Sequence, residues 1–220
     1  MKPYEIYNLI WKTKYRKNGF DLDWEVLRFD DEKKIRLLFQ PSMSVKDWLV
    51  NLLGFFPVPK IVRFRIMFFC FGWKSVYDAC STLILEEVIR EYNEHPDYEI
   101  EICGHSYGGA MSIIAGIDLF KKTAVKANIV TFGAPRTLFF VISKLFSRKC
   151  FNKVEQYVFR SDLVPYCPPF LFYHHCKVVK LGKFKIKDFF NPLYSHFAYG
   201  DKTIYDSFEE NTVSAAESLI

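Results

Sequence analysis

The sequence has 220 residues, half of them hydrophobic and 18% aromatic, which excludes a disordered chain and allows one domain with a sizeable core. A net charge of +5 is modest and spread along the chain, so nothing marks a nucleic-acid-binding face; an anionic lipid surface or plain solvation accounts for it. The opening stretch, MKPYEIYNLIWKTKYRKNG, is too interrupted by charge for a signal peptide, and the longest apolar run, Ile66–Trp73, is far too short to cross a membrane. Six cysteines (Cys70, Cys80, Cys103, Cys150, Cys167, Cys176) form no C-x-x-C pair and no metal-ligand spacing. Buried free thiols and a reducing, cytoplasmic compartment are expected, with leaderless export left open.

In chain order, Pro3–Lys17 sets Tyr4, Tyr7, Leu9, Ile10 and Trp11 among lysines and predicts a helix packed on the domain. Trp24–Phe29 and Lys33–Phe39, split by Asp30-Asp31-Glu32, read as a hairpin. The second run continues into Gln40-Pro41-Ser42, then a short amphipathic stretch, Val45–Leu53, then Gly54-Phe55-Phe56-Pro57. Lys60–Phe71 is rich in β-branched and aromatic residues and predicts one strand. Trp73, Val76, Tyr77, Cys80, Leu83, Ile84 and Val88 recur at helical spacing up to the break at His95-Pro96-Asp97.

The chain is organised around Tyr98–Gly116. Tyr98, Ile100 and Ile102 alternate with Glu99 and Glu101 as in a strand, Gly104-His105-Ser106-Tyr107-Gly108-Gly109 follows, and an apolar helical pattern comes next. A G-x-S-x-G arises by chance in roughly one chain of this size in ten to twenty, so its context decides. Strand, glycine-bounded serine and helix are the context of a nucleophile elbow, where small residues let two backbones pass and a helix N-terminus favours developing negative charge.

Beyond the elbow, Ala127–Phe132 predicts a buried strand ending in Gly133-Ala134-Pro135-Arg136, and the apolar Thr137–Phe146 a core helix, the lining of an acyl-binding cleft or a membrane-facing surface. Val154–Phe159 predicts the next strand, with Arg160-Ser161-Asp162-Leu163-Val164-Pro165 at its C-terminal end, where functional groups of α/β sheets gather. His95 precedes the serine, and His105, its immediate neighbour, is expected to point differently from the elbow. His174 and His175 lie in a strand-like run, and His196 opens the last helical stretch from a loop. The tail, residues 209–220, reads as polar and frayed.

Five motifs, in order over residues 20 to 200, resemble the class 3 (fungal-type) triacylglycerol lipases: Phe39–Ser42 with Trp48, Phe71-Gly72-Trp73, the elbow, Thr131–Arg136 and Asp162–Pro165, with Ser195-His196…Tyr199 matching the histidine motif beyond them. Gln40 and Pro41 stand where that family has Arg and Gly, and the segment at Phe71-Gly72-Trp73 lacks its His. The resemblance implies one α/β-hydrolase domain over residues 1–220, with a mostly parallel central sheet, helices on both faces and an antiparallel N-terminal hairpin. It assigns Ser106 as nucleophile, Asp162 as the acid and His196 as the base, with His174 or His175 as the other candidates. Ser42 and the Tyr107 N–H become the oxyanion hole, residues 43–56 either a lid over the acyl pocket or a segment that simply packs on the core, and no metal or organic cofactor is needed.

The implied reaction is cleavage of lipid carboxylic esters through an acyl-enzyme on Ser106, with transient contact at a lipid interface. Two alternatives stand beside it. One is a soluble carboxylesterase, phospholipase or thioesterase on the same scaffold; the other is a catalytically silent lipid-binding module, which the altered Gln40-Pro41 favours and the Ser106, Asp162, His196 set opposes. Neither the lipid nor the oligomeric state is written in the sequence.

Overall fold

The computed structural model describes residues 1–41, 57–62, 65–139, 147, 149–168, 171–176, 178–182 and 192–205. Helix α1 (Pro3–Lys12) begins with proline in its first turn, and the Glu5 carboxylate accepts the backbone N–H of Lys2 at 2.7 Å. It ends five residues short of the predicted Lys17, because Thr13 turns extended and returns both its N–H and its hydroxyl to the Leu9 carbonyl. Strands β1 (Trp24–Phe29) and β2 (Lys34–Phe39) form the predicted antiparallel hairpin. Its turn is a single 3-10 turn, Asp30–Glu32, closed by Lys33 in the left-handed region.

The central sheet has the order β1-β2-β5-β6-β8-β10, with β5 (Glu99–His105), β6 (Ala127–Phe132), β8 (Phe151–Phe159) and β10 (Val179–Leu181). Every pairing after β1-β2 is parallel. Parallel strands are covered on both faces, which explains why Leu37, Leu38 and Phe39 are all fully buried rather than alternating. Leu37, Phe39, Ile100 and Ile102 face helices α2 (Phe71–Glu94) and α3 (Tyr107–Thr123), whereas Leu38, Cys103, Val130 and Phe132 face α1. Each such side chain contributes about 1.5–3 kcal/mol by leaving water.

Polar groups on the α1 face are paired across strands. Arg36, fully buried, lies opposite Glu101 in the β2-β5 register and donates from Nε to Glu101 at 2.5 Å and from Nη2 to Glu32 at 2.6 Å. Lys34 reaches the other Glu101 oxygen at 2.8 Å.

Two predictions are corrected. Residues 60–71 are not one strand: β3 (Pro57–Val62) and β4 (Arg65–Cys70) form a hairpin, and α2 already begins at Phe71. Leu138 and Phe139 belong to no helix; they form a short strand, β7, between β4 and β9 (Phe172–Tyr173) in a second, antiparallel sheet of order β3-β4-β7-β9. Two-residue strands carry no periodicity, so only long-range pairing reveals them. Leu138 and Phe172 join the core under α2 and α3. The sequence readings of Ser42, of the segment 43–56, of residues 140–146 and of the tail 209–220 fall outside the described residues.

Candidate active site

The parallel strands end side by side, and their C-terminal ends carry the site. Ser106 joins β5 to α3 with its backbone at φ 54° and ψ −121°, a conformation that a residue with a side chain adopts only when its surroundings hold it there. Its N–H donates to the Phe132 carbonyl at 2.8 Å, and its carbonyl accepts the N–H groups of Gly109 and Ala110 in the first helical turn. A β-carbon on Gly104 would fall inside the backbone of Gly108, and one on Gly108 would stand 3.1 Å from the Phe39 β-carbon. The two glycines are therefore the condition for this turn. Tyr107, buried, is the first residue of α3, where N–H groups point out of the helix end toward the serine.

Asp162 follows β8 on a turn closed by its N–H to the Phe159 carbonyl at 3.0 Å. Its carboxylate is fully buried and has three donors. His196 Nδ1 lies 2.9 Å and the Tyr199 hydroxyl 2.6 Å from Oδ2, and the Val164 N–H reaches Oδ1 at 2.9 Å. With Nδ1–H directed to the carboxylate, the His196 ring presents its Nε2 lone pair elsewhere. His196 sits in a short helix, α4 (Pro192–Phe197), rather than in the predicted loop, and Tyr199 follows three residues on. The Tyr199 oxygen also accepts the Phe159 N–H at 3.0 Å. Burial, and then the Asp162 charge, push this phenol well above its ordinary range, so it remains a donor.

Gly133, the first residue after β6, has φ +56°, and a β-carbon there would stand 2.8 Å from Asp162 Oδ2 and 3.1 Å from His196 Nδ1. The glycine of Thr131–Arg136 is thus the wall against which the Asp162–His196 pair rests.

Among the three histidines considered as base, the structure sets His196 against Asp162. His174 Nε2 meets the Pro165 carbonyl at 2.7 Å, and His175 Nδ1 meets the Ser147 hydroxyl at 2.6 Å. Ser147 and His175 are buried together, with Phe151 edge-on to the imidazole, and Ser147 is fully enclosed. The His105 ring packs on His196 with centroids 4.5 Å apart. Ser106 Oγ has no hydrogen-bond partner among the described residues, so the structure joins Asp162 to His196 and leaves the serine contact open. Among those residues no cluster of His, Cys, Asp or Glu is built to hold a metal ion. The other oxyanion candidate, Ser42, lies outside them.

Residues 37–172, more than half of the chain and including Ser106 and Asp162, match the model of the Lipase (class 3) family. The chain belongs to the class 3 lipase family.

Similar sequences include the lipase of Rhizomucor miehei, 26% identical over 162 residues, and that of Rhizopus niveus, 28% identical over 158 residues. The matches cover 70% and 68% of this chain but only 42% and 38% of those proteins. The fold is also that of the class 3 lipases: the Rhizomucor miehei lipase propeptide complex superposes with a TM-score of 0.69 at 24% identity over 78% of this chain and 55% of that one in a mutant form, and the native form with 0.68. His196 and Tyr199 lie beyond the part matched by the class 3 lipase model. Sequence reasoning placed Tyr199 in the histidine motif and Gly133 in the Thr131–Arg136 motif, without giving either a contact with Asp162 or His196. The signal for Tyr199 was its spacing from His196, since residues three apart on a helical turn share a face.

Proposed function

We propose that this chain hydrolyses carboxylic esters of lipids through an acyl-enzyme on Ser106. One observation carries the reading: a serine is held at a strained strand-to-helix turn, and the ring of the residue before it packs on a histidine whose Nδ1–H is fixed by a buried carboxylate. In the first step His196 Nε2 takes the Ser106 proton as Oγ attacks the ester carbonyl. Asp162 holds the imidazole tautomer and stabilises the imidazolium. The Tyr107 N–H at the helix end, with Ser42, receives the oxyanion. His196 then protonates the leaving alcohol, and water, activated by the same imidazole, releases the acid. The Ser106 hydroxyl turns onto Nε2 when substrate fills the site.

Lipid is favoured over small soluble esters by the surface around the pair. Leu163, Tyr166, Leu171, Tyr194 and Phe197 are all exposed, on or just beyond the segments that carry Asp162 and His196. The names of the relatives agree: two are lipases, another is a secreted mono- and diacylglycerol lipase, and one solved relative is described as a triacylglycerol lipase with a serine protease triad.

The test is hydrolysis of p-nitrophenyl esters of increasing chain length, below and above substrate aggregation, with Ser106→Ala alongside. Activity rising with chain length and with aggregation, and reduced by a factor of at least about 1,000 in Ser106→Ala, is expected. Preference for short dissolved esters moves the reading to an esterase. A folded chain that neither hydrolyses esters nor reacts with a fluorophosphonate probe overturns it in favour of a binding module.

A further inference from the structure

The residue before the nucleophile is tied to the residue proposed as base. His105 Nε2 stands 2.8 Å from the backbone carbonyl of His196, across 91 positions of sequence. A carbonyl only accepts, so Nε2 carries the hydrogen. The other nitrogen, Nδ1, is buried without a hydrogen-bond partner among the described residues. A hydrogen placed there would be a buried donor with nothing to meet, so the ring is neutral in its Nε2–H form. Aromatic rings close off the space around it: Tyr7 from α1 packs edge-on at 5.2 Å, and Trp11, Phe197 and Tyr199 lie against the imidazole. The titratable groups facing His105 are Tyr7, Tyr199 and His196 itself. Burial, then the nearby His196 charge, hold its basicity well below that of an ordinary imidazole.

Two consequences follow. First, the nucleophile and the base are linked by a path of one peptide bond and one hydrogen bond, independent of the Asp162 carboxylate that turns the imidazole. Asp162 sets the rotation of the ring, whereas His105 sets where the main chain that carries it stands. Secondly, the imidazole that becomes charged during the reaction lies 4.5 Å from a neighbouring ring that stays neutral, so no like charge opposes it.

We propose that His105 is a positioning residue whose neutral Nε2–H anchors the backbone of His196 and so holds the base in register with Ser106. The proposal rests on the ester-hydrolase reading above.

Gln and Met have nearly the shape of one another, and only Gln offers an N–H near the position of His105 Nε2. On the best p-nitrophenyl ester, His105→Met is expected to show a roughly 10- to 100-fold lower kcat, with KM within about twofold of the parent. His105→Gln is expected to stay within about fivefold of the parent kcat, with melting temperatures of the two variants within a few degrees of each other. Equal losses in Met and Gln, or a Met variant with parental kcat, overturn the proposal. Should neither variant fold, nitrogen NMR of the histidine rings in the unaltered chain decides. A His105 ring that is neutral and Nε2-protonated from about pH 5 to about pH 9 supports the anchor, and an Nδ1–H tautomer or a titrating ring overturns it. Failure of the hydrolase reading is separate, since it shows as an inactive parent chain or an active Ser106→Ala.

Discussion

The Tyr199 hydroxyl lies 2.6 Å from Oδ2 of Asp162, on the same oxygen that receives the His196 Nδ1–H at 2.9 Å. One carboxylate oxygen therefore has two donors three residues apart in the chain. Both come from the turn α4–Gly200, so the geometry of that turn sets the carboxylate and the imidazole together.

Tyr199→Phe removes one of these donors and leaves the Phe159 N–H without its acceptor. A net loss of about 1–3 kcal/mol in unfolding free energy is expected, measured by urea titration. With His196 less firmly seated, turnover of a p-nitrophenyl ester should fall roughly 3- to 30-fold and KM stay near the parent value. A variant with parental turnover would show that the phenol serves the fold alone.

Gly133→Ala acts on the same pair from the other side. The new methyl group meets both Asp162 and His196, and alanine is strained at φ +56°. A stability loss of about 1–2 kcal/mol is expected, together with a roughly 10-fold or greater drop in turnover. Steady-state kinetics with a melting curve distinguish displacement of the pair from general unfolding, since displacement slows turnover in protein that is still folded at the assay temperature.

Far from the site, the buried Arg36 is balanced by Glu101 and Glu32. Arg36→Met leaves Glu101 buried with Lys34 alone, and a loss of about 3–5 kcal/mol is expected in urea titration. The same network sets an acid limit. Burial raises the Glu101 carboxyl, but hydrogen bonds from Lys34 and Arg36 outweigh it and hold the group below its ordinary range. The Arg36 hydrogen bond leads in bringing Glu32 down to about 2. A carboxyl depressed on folding adds stability that is complete above the unfolded value, near 4.5, and is lost as pH falls toward the folded one. Unfolding free energy of the parent is thus expected to fall between about pH 5 and about pH 2, and Arg36→Met to flatten that slope. An unchanged slope would remove Arg36 from the account.

What the sequence determined by itself was whatever is local or periodic. The hairpin of β1 and β2, the strand β6 and the elbow follow from alternation, turn residues and the glycines at 104 and 108, which act on neighbours a few positions away. Asp162 was legible from its place after a strand. The motif of His196 with Tyr199 set it apart in the sequence, and the tertiary structure joined it to Asp162 while His174 and His175 found other partners. The tertiary structure also decided that Pro57–Val62 pairs antiparallel with Arg65–Cys70 and that Leu138 and Phe172 extend a second sheet, since two-residue strands exist only through their partners. His105 shows the limit most clearly. Its sequence neighbour is the serine, but its hydrogen bond goes to a carbonyl 91 residues away, and only the folding of α4 onto the strand ends brings that carbonyl within reach.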